Sequence, residues 1–149
     1  MSDGVPGATV VGKEYSPVVY VVGREKILEY ADVIGAQAPV HRDLEAARAA
    51  GFRDVVAPPM FCVVYSARAL IEAFRDPELG IDLGAMVHGG QEFVWGDPVC
   101  AGDEITTTVR VAAAYERSGR HHYEFESVST NQEGAEVVRG AWSNIVRVA

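Results

Sequence analysis

An imidazole at position 41 ends the run Tyr30-Ala31-Asp32-Val33-Ile34-Gly35-Ala36-Gln37-Ala38-Pro39-Val40-His41, and it could serve as a general acid or base near neutral pH. Proton chemistry beside a carbonyl asks for more than one group. A base must take a weakly acidic proton, a leaving hydroxyl needs a proton, and the developing enolate oxygen needs donors. Five residues before His41 stands Ala36, whose methyl group cannot orient water or a hydroxyl. A second segment, Val55-Val56-Ala57-Pro58-Pro59-Met60-Phe61, opens a helix on proline, which suits a first turn but has no N–H to offer an oxyanion. Taken alone, His41 also reads as a residue flanking the helix that Asp43 opens.

Other chemical signals lead nowhere. Cys62 and Cys100 have neither metal nor redox spacing, and two thiols make no disulfide scaffold. His41-Arg42-Asp43-Leu44 spells the start of a kinase catalytic loop, but Arg48 stands where that motif needs Asn, and no glycine-rich loop accompanies it. His121 and His122 are neighbours on a strand, so they point to opposite faces and cannot share an ion. Ser66, His88 and Asp97 lack a nucleophile elbow. With no ligand spacing among the four histidines and no phosphate-cradling loop, neither metal nor organic cofactor is expected.

The elements that must position these groups follow from periodicity. Pro17 to Val22 reads as a short strand, and Ile27, Tyr30, Ala31 and Ile34 recur at helical spacing from Arg24 to a stop at Gly35. Asp43 can cap a second short helix that ends at Gly51. From Pro59 to Phe74 apolar residues cover almost every face, predicting a helix buried nearly all round, with Arg68 and Glu72 paired on its one exposed edge. Its uncharged run, Val55 to Ala67, is far short of the ~20 residues a bilayer needs. After Gly84 the chain reads as strands: Met86 to Trp95, one alternating through Ile105, Thr107, Val109 and Val111, one through Tyr123 and Phe125, and a last from Glu136 to Val148. Turns at Ser118-Gly119 and Asn131 to Gly134 make the pairing antiparallel. The physical expectation is an α+β fold, a curved antiparallel sheet of about five strands wrapped around one long helix.

The 149 residues suit a single domain spanning 1–149, with 1–10 expected to be flexible. A net charge of -8 argues against nucleic acid as a partner, since thirteen scattered Lys and Arg build no basic footprint. No basic or apolar leader pattern is visible at the start, so a cytoplasmic location is expected. A long edge strand left by a five-stranded sheet favours pairing into a dimer.

The run ending at His41 resembles the hydratase motif of MaoC-like (R)-3-hydroxyacyl thioester dehydratases and enoyl hydratases, roughly F-A-x-x-S-G-D-x-N-P-x-H. Tyr30-Ala31, Gly35, Pro39 and His41 sit in register, while Ala36 falls on the catalytic Asp. Pro58-Pro59-Met60 stands where the family carries the His-Gly-Met of its oxyanion donor. Three further segments sharpen the likeness to the substrate-binding subunits of actinobacterial heterodimeric (3R)-hydroxyacyl-carrier-protein dehydratases. They are Gly23-Arg24-Glu25-Lys26-Ile27, Val87-His88-Gly89-Gly90-Gln91-Glu92-Phe93 and Pro98-Val99-Cys100-Ala101-Gly102-Asp103.

That resemblance implies the hotdog fold, an acyl-CoA or acyl-carrier-protein substrate, and a dimer with itself or with a catalytic hotdog chain. It implies that His41 holds the catalytic position, and that Ala36, Pro39, Pro59, Met60, His88 and Gln91 shape the acyl site. For His88 and Gln91 a polar strand face satisfied by its neighbours is the plainer alternative. Two other functions stay open: a self-sufficient homodimeric dehydratase using His41, and a non-catalytic thioester- or lipid-binding protein.

Overall fold

A computed structural model describes residues 4–148 of the chain. The elements run β1 (Val18–Val21), α1 (Arg24–Ile34), α2 (Leu44–Ala49), α3 (Cys62–Phe74), β2 (Met86–Trp95), β3 (Glu104–Arg117), β4 (Arg120–Thr130) and β5 (Glu136–Arg147). Short 3-10 turns at Pro39–His41 and Pro59–Phe61 precede α2 and α3. The strands form one antiparallel sheet in the order β1-β3-β4-β5-β2, so β2 is an edge although it enters the chain second. This is the expected α+β architecture of five strands around a principal helix.

Local chemistry accounts for the boundaries. Gly35 ends α1 in the left-handed region at φ 69°, where its N–H reaches the last carbonyls. Asp43 caps α2 by accepting from the Ala46 N–H at 2.7 Å. The β3–β4 hairpin turns through Ser118 and Gly119, both at positive φ, the two-residue turn whose twist matches its strands. Along β3 the buried positions are Ile105, Thr107, Val109 and Val111, alternating as period two requires.

The core lies between α3 and the sheet. Phe61, Cys62 and Tyr65 pack with Tyr20, Ile27 and Ile105 at one end; Ala69, Leu70 and Ala73 pack with Tyr123, Phe125 and Trp142 at the other. Two expectations need correction here. First, the exposed edge of α3 is wider than Arg68 and Glu72, because Ile71 faces outward beside them. Second, Arg68 does not pair with Glu72. Its guanidinium lies 4.9 Å from the centre of the Tyr20 ring, and Glu72 is 3.9 Å from Arg75. An exposed (i, i+4) pair is worth only about 0.3–0.5 kcal/mol, so a cation–π seat on β1 competes well. Near the start of the chain Val5 and Val10 pack on the second cluster and Gly7 is buried against Leu79. Of the segment 1–10, residues 1–3 lie outside the described residues.

Among the described residues no helix is long and apolar enough to cross a membrane.

Candidate functional site

Three chain segments meet around a cavity of about 300 Å³. One is the turn carrying His41, another the start of α3, and the third the end of β2 with the loop Gly96-Asp97-Pro98. Backbone bonds fix their relation. Val56 N–H donates to Val40 O at 2.9 Å, while Ala57 N–H reaches Val99 O at 2.8 Å and Ala101 N–H reaches Val55 O at 2.9 Å. The His41 turn is thereby tied to the segment that leads into α3, and that segment to the one that leads into β3.

His41 lines the cavity, and its Nδ1 lies 2.7 Å from Val56 O. A carbonyl oxygen can only accept, so this bond assigns the hydrogen to Nδ1 and leaves the lone pair of the neutral ring on Nε2. The sequence thus supplies a histidine whose tautomer and ring plane are set by backbone, as an acid–base residue requires.

The α3 end of the cavity is different in character. Pro58 and Pro59 both line it and neither carries an N–H. Phe61 N–H is taken by Pro58 O at 2.8 Å. Trp95, from the end of β2, donates its Nε1–H to Pro59 O at 2.9 Å and joins the cavity wall to the helix start. The floor is apolar: Phe61, Cys62, Tyr65, Val99 and Val137.

Burial pushes the Cys62 thiol up to about 11 from an ordinary value of 9.0, and pushes the Tyr65 phenol upward as well. Cys62 is therefore a neutral wall group at physiological pH, not a nucleophile. Because its folded-state value is the higher one, the stability held by the neutral thiol is complete below about pH 9 and is lost as pH rises through about 11. Alkylation of Cys62 by iodoacetamide, followed by mass spectrometry, is expected to be negligible at pH 7.5 and to accelerate across that window.

The loop of the cavity wall also explains a glycine. A Cβ on Gly96 would sit 2.2 Å from Glu136 O, against the backbone bonds Gly96 N–H to Val137 O and Asp97 N–H to Glu136 O. Gly96→Ala is expected to destabilise the chain by about 1–3 kcal/mol by forcing this strand end apart, read from the urea midpoint at unchanged slope.

Of the residues singled out in the sequence, His41 and Pro59 come together at the cavity. Pro39 begins the same 3-10 turn as His41 but is not a wall residue, and Met60 is 40% exposed beside the wall. Ala36 also stands outside the wall; its carbonyl accepts from Arg42 Nε at 2.7 Å. His88 and Gln91 lie along β2 opposite Asn144 and Trp142, away from the Trp95 end that meets the cavity. The His88 ring packs edge-on against Trp142 at 6.2 Å. Ser66 is buried in α3, Asp97 is at the cavity and His88 is towards the other end of β2, so no triad assembles. His122 stacks on Tyr115 at 5.0 Å, and no group of His, Cys, Asp and Glu among the described residues could hold a metal ion.

Sequence reasoning missed Trp95, Asp97, Cys62 and Tyr65 as wall residues. Tyr65 and Cys62 were legible only as core positions of α3. Trp95-Gly96-Asp97-Pro98 carried only the signal of a strand end.

The FAS1-like, dehydratase domain region matches residues 9–139. A UPF0336 protein of Saccharopolyspora erythraea is 44% identical over 128 residues, 85% of this chain and 82% of the relative. One of Streptomyces coelicolor is 38% identical over 139 residues, 93% and 92% of the two chains. Among solved structures, the C-terminally truncated HadBC (3R-hydroxyacyl-ACP dehydratase) complex of Mycobacterium tuberculosis is similar with TM-score 0.80 and 27% identity, over 91% of this chain and 96% of that one. A MaoC-like dehydratase matches with TM-score 0.83 and 26% identity, over 94% of this chain and 43% of the other.

Proposed function

This chain belongs to the FAS1-like dehydratase-region family and shares the hotdog fold of MaoC-like dehydratases and hydratases, and from that premise we propose that it is the substrate-binding member of a two-chain (3R)-hydroxyacyl-thioester dehydratase. In that reaction a base takes the proton beside the thioester carbonyl, the carbon–oxygen bond at the next carbon breaks, and the hydroxyl leaves as water with a proton from an acid. A double bond remains, and the same steps reversed hydrate an enoyl thioester.

One observation carries the reading. The cavity holds a wall histidine, but the helix start beside it offers Pro58 and Pro59 where an enolate oxygen needs N–H donors, and Ala36 brings no carboxylate. What remains is a mostly apolar chamber, at about 300 Å³ close to the lower end of ligand sites. Such walls suit an acyl chain better than they suit catalysis. A second hotdog chain would bring the acid–base pair and the oxyanion donor. The likeness to one chain of the HadBC complex, an assembly of two different chains, supports this division of labour.

The free edge supports pairing as well. β2 exposes Val87, Val94 and Trp95, and an uncovered apolar edge strand is a surface that partners remove. Co-expression with a candidate catalytic hotdog chain is expected to give a stable one-to-one complex. A clean monomer by sedimentation at micromolar concentration, with and without that chain, would remove the reading.

A specific observation favours a second reading. The Val56 carbonyl leaves His41 Nε2 as a base, and Asp97 lines the same cavity. A homodimeric hydratase using these two groups is the alternative. It requires turnover of crotonyl-CoA by the purified chain that His41→Ala abolishes.

A further inference from the structure

Tyr123 and Tyr65 are both buried, and their hydroxyls are placed differently. Tyr123, 1% exposed, donates to Leu79 O at 3.2 Å. Tyr15 and Tyr115 likewise donate to Asp76 and Glu124. Tyr65 is 3% exposed, and its hydroxyl has no hydrogen-bond partner among the described residues; only burial and the neighbouring Cys62 act on the phenol. A buried phenol ordinarily finds a partner, because a dry, unbonded polar group is costly. One residue on, the Ser66 hydroxyl is sealed in the core. That of Tyr65 is not sealed, and Tyr65 lines the cavity that His41 also lines. Its free O–H therefore opens on that cavity.

Most other donors of the wall are engaged. His41 Nδ1 is held by Val56 O, which leaves only Nε2 open, and Trp95 Nε1–H is held by Pro59 O. Ala57, Gly96 and Asp97 direct their N–H groups to Val99 O, Val137 O and Glu136 O. Pro59 and Asp97 are exposed and mark the mouth, whereas Tyr65 is buried. Six residues separate Pro59 from Tyr65, about 10 Å along the helix axis, and a long helical side chain leans back towards the N-terminus. The hydroxyl thus stands inside the mouth, set into an otherwise apolar floor of Phe61, Cys62, Val99 and Val137. Burial keeps the phenol protonated at neutral pH, so it is a donor there.

We propose that Tyr65 selects acyl chains that carry an oxygen, as a keto or hydroxyl group, several carbons beyond the thioester. A chain of methylenes filling the cavity would strip water from the hydroxyl and offer no acceptor in its place. A chain carbonyl or hydroxyl at that depth accepts the hydrogen bond. Such a site discriminates more sharply than an apolar pocket, because the wrong chain leaves the site's own donor dry. Packing alone does not ask for a tyrosine. The ring lies tilted against Phe61 with centroids 6.3 Å apart, and a phenylalanine ring would make the same contact. The hydroxyl is the only part of this side chain that the fold leaves unused. That its partner belongs to an acyl chain rests on the acyl-thioester reading of the cavity; the free donor does not.

The test compares two matched pairs of thioesters, hexanoyl-CoA with 5-oxohexanoyl-CoA and octanoyl-CoA with 7-oxooctanoyl-CoA. None carries a 3-hydroxyl or a double bond, so binding is read without turnover, by calorimetry, on the full chain alone and in complex with a catalytic hotdog chain. In at least one pair the oxo chain is expected to bind about tenfold to a hundredfold more tightly than its plain counterpart. Tyr65→Phe should abolish that preference by weakening the oxo chain, with the plain chain bound as tightly as before or more so. Its urea midpoint should not fall, since the hydroxyl has no partner in the fold to lose. If the plain chains bind but the preference stays below about threefold in both pairs, or survives Tyr65→Phe, the proposal is overturned and the acyl reading stands. A clear fall in the midpoint would place a partner for the hydroxyl inside the fold and overturn it too. If none of the four thioesters binds in either state, the acyl reading fails and the proposal fails with it.

Discussion

By itself the purified chain is expected to hydrate crotonyl-CoA about 10⁴-fold more slowly than its complex with a catalytic hotdog chain. The size follows from what the cavity lacks. A positioned acid–base partner is worth about 10²–10⁴-fold, and one oxyanion donor about 10²–10³-fold. The motif position of the carboxylate is Ala36, which carries none and stands outside the wall, and Pro58 and Pro59 give the wall no N–H at the helix start. Groups that act as a unit are not additive, so the full product overstates the deficit and its lower part is the better guide. Initial rates read from the absorbance of the enoyl thioester decide the matter. Within the complex, His41→Ala is expected to leave the rate in the same order of magnitude, because the base comes from the other chain. Ordinary rates from the chain alone, lost on His41→Ala, would instead establish the homodimeric enzyme with Asp97 as the second group to examine.

The largest structural effect is expected at Phe61. Its side chain is 0% exposed and forms the centre of an aromatic cluster, with ring centroids 6.3 Å from Tyr20, 5.4 Å from Tyr30 and 6.3 Å from Tyr65. The Tyr30 ring meets it edge-on at 87°. Truncation removes those contacts and leaves a cavity that β1, α1 and α3 cannot close without leaving the sheet. Phe61→Ala should destabilise the chain by about 3–5 kcal/mol, a large part of the 5–15 kcal/mol typical of a whole domain. For a domain of this size that corresponds to a fall in melting temperature of about 10 °C. Phe61 is also a wall residue, so Phe61→Leu is the companion variant: it keeps most of the volume and should change thioester binding more than stability. A loss below 1 kcal/mol for Phe61→Ala would mean that the helix start is not held by this cluster.

How much of this was legible beforehand depends on the range of the signal. Gly35 as the stop of α1, Asp43 as the cap of α2 and the alternation of β3 are local, decided by a few dihedral angles and a period of two or 3.6, and they hold. Arg68 is the opposite case. Helical spacing offered Glu72 four residues on, but the winning neighbour is Tyr20, almost fifty residues earlier on β1. His41 could be marked by its motif, yet the property that makes it chemically definite, an Nδ1 bond to the Val56 carbonyl, involves a backbone atom that no residue pattern names. Trp95 and Asp97 were hidden for a related reason. They became wall residues only when β2 was laid beside β5, and the antiparallel edge position of β2 is not written in its own ten residues.

That edge position bears on the order in which the chain folds. β3, β4 and β5 follow one another through tight turns and zip by local contacts. β2 must reach past both hairpins to find β5, and β1 must reach across α1, α2, α3 and β2 to find β3. Loop-closure entropy and contact order make such long-range pairings the slow ones. The meander is therefore the template, and the strand whose outer side is free for another chain is laid down late. A nascent chain meets its partner only after its cavity wall is in place, so assembly itself tests whether folding has finished.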